Sequence, residues 1–450
     1  MRRFLRVLLV VILAVLAIKY INSFPKLKTG STQGNQENQS NINTDTSMLH
    51  VAGDKIVNAK DEEIYLRGFQ GIQFYPIPTE LYFKAVSKNK ANANLFDDYA
   101  VDLASYRLTD FDITEIKSTG ANVVRIWFSL HEIQKEPYQY SEKSLKLLED
   151  TVNKFGEAGI YSILLLGGSG QNDIEESKVY TSQGLTLWDK NDGLWDQSVK
   201  LWGVVAKRFE GNAYVAGYDV INEPAAPSRT ELHSFYQDVI DTIRKEDKGH
   251  IIFLETDLNN KETYQLGGQY KDTNIAASFH FYYPSQFTLP GGTEGMTPDL
   301  QYPGTYCHRK TTKCSPVMWN KDQLEKIIVS ALTMEDIKGK PLYIGEFGAS
   351  AIRDDAGAPQ WTEDLLSIMN RYKLHYTYHT YIHQSIYGYY WMMKPEVSQS
   401  IGKLIQGLAN GTVKYEDITD KQKQMLTTQN GYVQRKGIKE LLTRYFKDED

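Results

Sequence analysis

From about residue 48 onward, short and almost wholly apolar runs alternate with stretches whose apolar residues recur every three to four positions. A strand buried on both faces reads as a continuous apolar run. A helix laid against a sheet shows an apolar stripe of period 3.6. Alternating the two builds β-α-β units and a parallel sheet. Eight strand-like runs can be read: Tyr65–Phe69, Asn122–Phe128, Tyr161–Leu166, Val215–Ile221, Ile251–Leu254, Ala277–Phe281, Leu342–Ile344 and Tyr376–Tyr381. Between them, Leu145, Leu148, Val152 and Phe155 share one helical face, and Gly159 ends that helix as a C-terminal cap would. Leu232, Phe235, Val239 and Ile243 form a second stripe, and Leu324, Ile327, Ala331 and Leu332 a third. Eight strands with helices between them close into one α/β domain, a single (β/α)8 TIM barrel over residues 48–450, entered through a small hairpin at Leu49–Leu66. No internal repeat or second domain is read.

The first 25 residues do not belong to that pattern. Arg2, Arg3 and Arg6 precede the uncharged apolar run Val7–Ile18, the layout of a signal peptide or, with its apolar flanks, a signal anchor. Residues 26–47 have no aromatic side chain and little to bury, and read as a polar flexible linker. The chain is therefore expected outside the cytoplasm, secreted or attached to the membrane by its N-terminal segment. After export, Cys307 and Cys314, seven positions apart in a polar loop, are expected to form a disulfide. A net charge of −6 offers no basic field, which sets nucleic acid aside as a partner. A monomer is expected.

In a barrel of this kind, chemistry gathers on the loops after the strands' C-terminal ends. The loops after strands one, three and six are read as long, at about 70–110, 167–191 and 283–322, and are rich in Tyr and Trp. Tyr offers an apolar face and a polar tip, which suits sugar rings. Strand four runs out in Tyr218-Asp-Val-Ile-Asn-Glu223-Pro, and strand seven in Tyr343-Ile-Gly-Glu346-Phe-Gly, so each places a glutamate at the mouth. Cleaving a glycosidic bond needs two carboxyl groups about that bond, one protonated to help the leaving oxygen and one opposite it. At a separation of about 5–5.5 Å the second attacks directly and configuration is retained. Arg125 is a fitting cation to keep the nucleophile ionised.

These segments, with Leu66–Phe69, Val124–Phe128 and Ser278–Pro284, resemble glycoside hydrolase family 5, the cellulase family within the retaining clan A. The resemblance implies Glu223 as acid/base and Glu346 as nucleophile. It implies Asn222 on the sugar 2-hydroxyl, Arg125 and Tyr282 holding the nucleophile, and His280 orienting the acid/base or lining the catalytic subsite. The activity implied is hydrolysis of a β-linked glucan, mannan or related saccharide, without metal or cofactor. Capture of the same covalent intermediate by a second sugar, and a non-catalytic carbohydrate-binding barrel, are the alternatives. Two departures from the family stand out. Strand three ends in Leu164–Gly170 where the family has a His. At the end of strand eight, where the family has a Trp platform, this chain has His379, with Trp391 further on as a substitute.

Overall fold

The structure, a computed structural model, describes residues 48–76, 92–167, 186–257, 265–289, 300–308, 314–382, 388–394 and 412–448, with single positions between 397 and 407. The expected export segment and linker lie outside them. Among the described residues, no helix is long and apolar enough to cross a membrane.

The barrel strands are β1 (Arg67–Gln73), β2 (Val123–Ser129), β3 (Tyr161–Gly167), β4 (Val215–Asp219), β5 (Ile251–Glu255), β6 (Ile275–Phe281), β7 (Leu342–Phe347) and β8 (His375–Tyr378). They form one closed barrel in the order β6-β7-β8-β1-β2-β3-β4-β5, every neighbouring pair parallel. All eight expected runs are strands. β1 begins two residues later than expected and extends through Gln70 and Gln73, polar residues that interrupt an apolar reading. Gly68 permits this pairing: a β-carbon there would fall 1.8 Å from the Val123 carbonyl oxygen of β2.

Outside the strands lie α1 (Asn92–Arg107), α2 (Asp110–Ser118), α3 (Glu142–Glu157), α4 (Leu194–Phe209), α5 (Arg229–Glu246), α6 (Lys321–Thr333), α7 (Ala358–Arg371) and α8 (Ile438–Phe446). Ser141 caps α3 by accepting the Ser144 N–H, and Gly159 follows its end at φ +77°. Its expected stripe, Leu145, Leu148, Val152 and Phe155, is buried, as are Leu232, Phe235, Val239 and Ile243 of α5. Each such side chain contributes about 1.5–3 kcal/mol on leaving water.

The two ends of the barrel differ chemically. At the strands' N-terminal end, Val123, Ile163, Ala216, Ile251, Phe253 and Tyr343 pack with Leu49 and with Ile56 of the hairpin His50–Val57, making an apolar plug. The C-terminal end is lined by charged and amide side chains. In the loop after β6, Cys307 and Cys314 are bonded beside a hairpin pairing Gly304–Tyr306 with Val317–Trp319. The loop after β8 is longer than any of the three expected long loops. It holds a hairpin of Tyr390–Met393 with Tyr432–Gln434 and runs to α8.

Candidate active site

Alternation along β2 turns Arg125 inward. Its side chain is buried and bonds carboxylates from three other strands. Nε donates to Asp219 Oδ2 at 2.9 Å, and Nη1 to Glu346 Oε1 at 3.1 Å. Nη2 forms an ion pair with Glu255 and lies 3.4 Å from Asn222 Oδ1. Burial alone would make the guanidinium a stronger acid. The charges of Asp219 and Glu255 overcome this and keep it protonated. Glu255, also penalised by burial, is held below the usual carboxylate range by His280 and Arg125. Asp219 lies deeper. Burial pushes its carboxyl up to about 7 against the pull of Arg125.

Above this floor stand Glu223 and Glu346. Glu346 belongs to β7 and is nearly buried. Glu223 follows β4 and has φ +45°, a conformation uncommon for a residue with a β-carbon. Its backbone N–H donates to Glu255 Oε2 at 2.9 Å, which ties this conformation to β5. One carboxylate oxygen of Glu223, one of Glu346 and one ring nitrogen of His280 all lie within 4.8 Å of one another. His280 Nδ1 is 2.8 Å from Glu223 Oε1 and 3.6 Å from Glu346 Oε2, and its Nε2 is 3.4 Å from Glu255 Oε2. The Tyr282 hydroxyl donates to Glu346 Oε2 at 2.9 Å.

Burial opposes charge on His280, but Glu255 and Glu346 hold its proton well above the ordinary histidine range. Glu346 is pushed up by burial, a shift that His280 and Arg125 oppose and Glu223 and Glu255 reinforce.

Six of the expected residues, Arg125, Asn222, Glu223, His280, Tyr282 and Glu346, thus converge at one mouth. His379 joins them. It follows β8, its Nδ1 takes up the Gln70 side-chain amide, and it lies 3.6 Å from Glu346 Oε2. Burial depresses its pKa to about 3, so it is a neutral ring beside Glu346, edge-on to Tyr282. Trp391 lies in the hairpin strand after β8, and its side chain is outside the described residues. Glu255 and Asp219 were not among the expected residues. The signal for Glu255 was a carboxylate closing an apolar run, Ile251-Ile-Phe-Leu-Glu255, in the same position relative to its strand as Glu346.

A family model described as Cellulase (glycosyl hydrolase family 5) matches residues 86–385. A β-xylosidase from Phanerodontia chrysosporium is 28% identical over 260 residues, 55% of this chain and 54% of the xylosidase, so the chain spans about half that relative's length. Endoglucanase C from Acetivibrio thermocellus is 23% identical over 289 residues, 59% of this chain and 82% of that protein. Among solved structures, an endoglucanase from Thermotoga maritima shares the fold at a TM-score of 0.52 and 17% identity, covering 67% of this chain and 90% of its own. Endo-glycoceramidase II from Rhodococcus sp. does so at 0.53 and 16%, covering 76% and 78%. With a closed parallel barrel, two glutamates converging at its mouth and a family model matching more than half its length, the chain belongs to the cellulase family, glycosyl hydrolase family 5.

Proposed function

We propose that this protein is a retaining β-glycosidase acting outside the cytoplasm on a β-linked saccharide of glucan or mannan type, with Glu346 as nucleophile and Glu223 as acid/base. The observation that carries the reading is that a carboxylate oxygen of Glu223 and one of Glu346 lie within 4.8 Å of each other, which favours direct attack over the wider spacing, about 6.5–9.5 Å, of carboxyl groups that work through an interposed water. Glu346 attacks the anomeric carbon as the glycosidic C–O bond breaks, and the proton of Glu223 goes to the departing oxygen. A water then gives its proton to Glu223 and its oxygen to the anomeric carbon, which frees Glu346. Arg125 and Tyr282 donate to Glu346 at 3.1 and 2.9 Å, favouring its ionised form against the burial that opposes it. His280, bonded to Glu223 Oε1, fixes the rotamer of the acid. The relatives' names, a β-xylosidase and an endoglucanase, support a β-linked substrate. The apolar N-terminal run and the Cys307–Cys314 disulfide support an exported protein with residues 26–47 as its tether.

Incubation with 2-fluoro β-glycosides of gluco and manno configuration, followed by peptide mass spectrometry, tests this. The expected label is on Glu346, and Glu346→Gln loses both labelling and hydrolysis. A tag on another carboxylate, or a first-formed product of inverted configuration, overturns it.

A further inference from the structure

Within β2, six of the seven residues are buried, and the half-open position belongs to the largest side chain, Trp127. Residues two apart on a strand share a face. Because Arg125 points inward to Asp219, Glu255 and Glu346, Trp127 points inward as well, about 6.6 Å further toward the mouth at 3.3 Å per residue.

The neighbouring strand has made room for it. Gly167, the last residue of β3, pairs with Ser129 of β2. A β-carbon built on Gly167 would fall 2.1, 2.2 and 2.5 Å from three atoms of the Trp127 benzenoid ring. Gly167 is not among the glycines of positive φ, so the backbone does not demand glycine there. The indole does. The end of β3 is in turn bonded to the catalytic turn, since Leu166 accepts the Asn222 N–H at 2.9 Å. The ring therefore stands over the end of β3, the strand whose Leu166 carbonyl holds the Asn222 N–H, where a strand-three side chain would otherwise stand.

Part of the indole is accessible at the rim of a polar site, on a strand otherwise buried, and an apolar ligand face laid on it gains by leaving water. A β-gluco or β-xylo pyranose has equatorial hydroxyls and presents flat faces of axial C–H bonds. Such a face covers an aromatic ring while the hydroxyl rim stays free for hydrogen bonds. An axial 2-hydroxyl, as in a manno unit, interrupts one of those faces.

We infer that Trp127 is the platform on which a sugar unit of the substrate stacks, that Gly167 is glycine in order to admit it, and that the pair favours gluco and xylo over manno configuration. This rests on the glycosidase reading.

The test uses the full chain carrying Glu346→Gln, so that binding is read without turnover. Cellotriose, xylotriose and mannotriose are titrated by calorimetry and by tryptophan fluorescence. Cellotriose and xylotriose are expected to bind more tightly than mannotriose, with a saturable change in emission. Adding Trp127→Phe is expected to remove most of that change, and Trp127→Ala to weaken cellotriose binding about tenfold or more. Gly167→Ala displaces the indole and is expected to weaken binding comparably. In a Trp127→Ala background the same Gly167→Ala change should have little further effect, a coupling that a general folding defect does not produce. Unchanged affinity in Trp127→Ala, additive losses in the double variant, or a preference for mannotriose overturns the inference. These outcomes are separable from failure of the glycosidase reading. If Glu346 is labelled in the native chain while Trp127 proves indifferent, only the platform is lost. If the native chain is neither labelled nor hydrolytic, the reading beneath it is lost.

Discussion

At Glu223, φ of +45° sets a residue with a β-carbon in a region that usually costs energy, and the side chain of Glu255 accepts its N–H there. The same carboxylate pairs with Arg125 and lies 3.4 Å from His280, so one residue of β5 orders Glu223, the guanidinium and the imidazole. Glu255→Gln keeps an acceptor for the Glu223 N–H but loses the ion pair. Its kcat/KM is expected to fall about ten- to a hundredfold. Glu255→Ala loses the acceptor as well and is expected to fall further. Kinetics on an aryl β-glycoside, with melting curves for both variants, check the ranking native, Gln, Ala, and an Ala variant as active as the Gln variant contradicts it. Glu223 and Glu346 were legible in the sequence because each closes a strand within a distinctive run. Glu255 was not, because Phe-Leu-Glu-Thr has no family pattern and its importance lies in Arg125 and Glu223, 130 and 32 residues away along the sequence and brought to it only by the fold. Trp127 stood in full view in Val124–Phe128. Without the ring's contact at Gly167, nothing distinguished it from core.

The eight strands were legible for the reason buried parallel strands generally are, since burial on both faces leaves few polar interruptions. Where polar residues do interrupt, the reading slipped. Gln70 and Gln73 belong to β1, and the run there looked finished at Phe69 because polar residues follow it. The extent of the loop after β8 was missed because Tyr376–Tyr381 and Tyr389–Met393 follow each other closely and have similar composition. The hairpin in that loop is fastened by Arg435. Nη1 donates to the Ala349 carbonyl at 2.8 Å and the Tyr378 hydroxyl oxygen at 3.0 Å, and the head group pairs with Asp354. Arg435 is nearly buried while Asp354 is partly open, so Arg435→Ala is expected to destabilise by about 1–3 kcal/mol. The hairpin should then be cut by protease before the barrel is. Limited proteolysis followed by mass spectrometry reads this, and an unchanged digestion pattern counts against Arg435 as the fastening.

Buried ionisable groups of opposite tendency make the stability of the whole molecule depend on pH in both directions. His131, His375 and His379 are depressed by burial from 6.5 to about 3, so the fold keeps them neutral where the unfolded chain takes up protons. Their contribution is present above 6.5 and is lost as pH falls toward 3. Burial raises Glu132 from 4.5 to about 8 and Asp219 from 3.8 to about 7. Their contribution is present below the ordinary carboxyl range and is lost as pH rises through 7 and 8. The two sets offset each other between about 4.5 and 6.5, so the melting temperature should be highest there and decline on both sides. Glu132→Gln should flatten the alkaline decline. Calorimetry from pH 4 to 9 checks this, and a melting temperature that climbs from 6.5 to 8 refutes it. The closure of the barrel has a consequence in time. Arg67 of β1 finds its partners in the Tyr445 carbonyl and Asp448, and Phe69 packs against Phe446. A polypeptide growing from its N-terminus cannot satisfy its first barrel strand until residues 438–448 have been synthesised. The cylinder is therefore shut late, by the last helix of the barrel and not by its neighbouring strands alone.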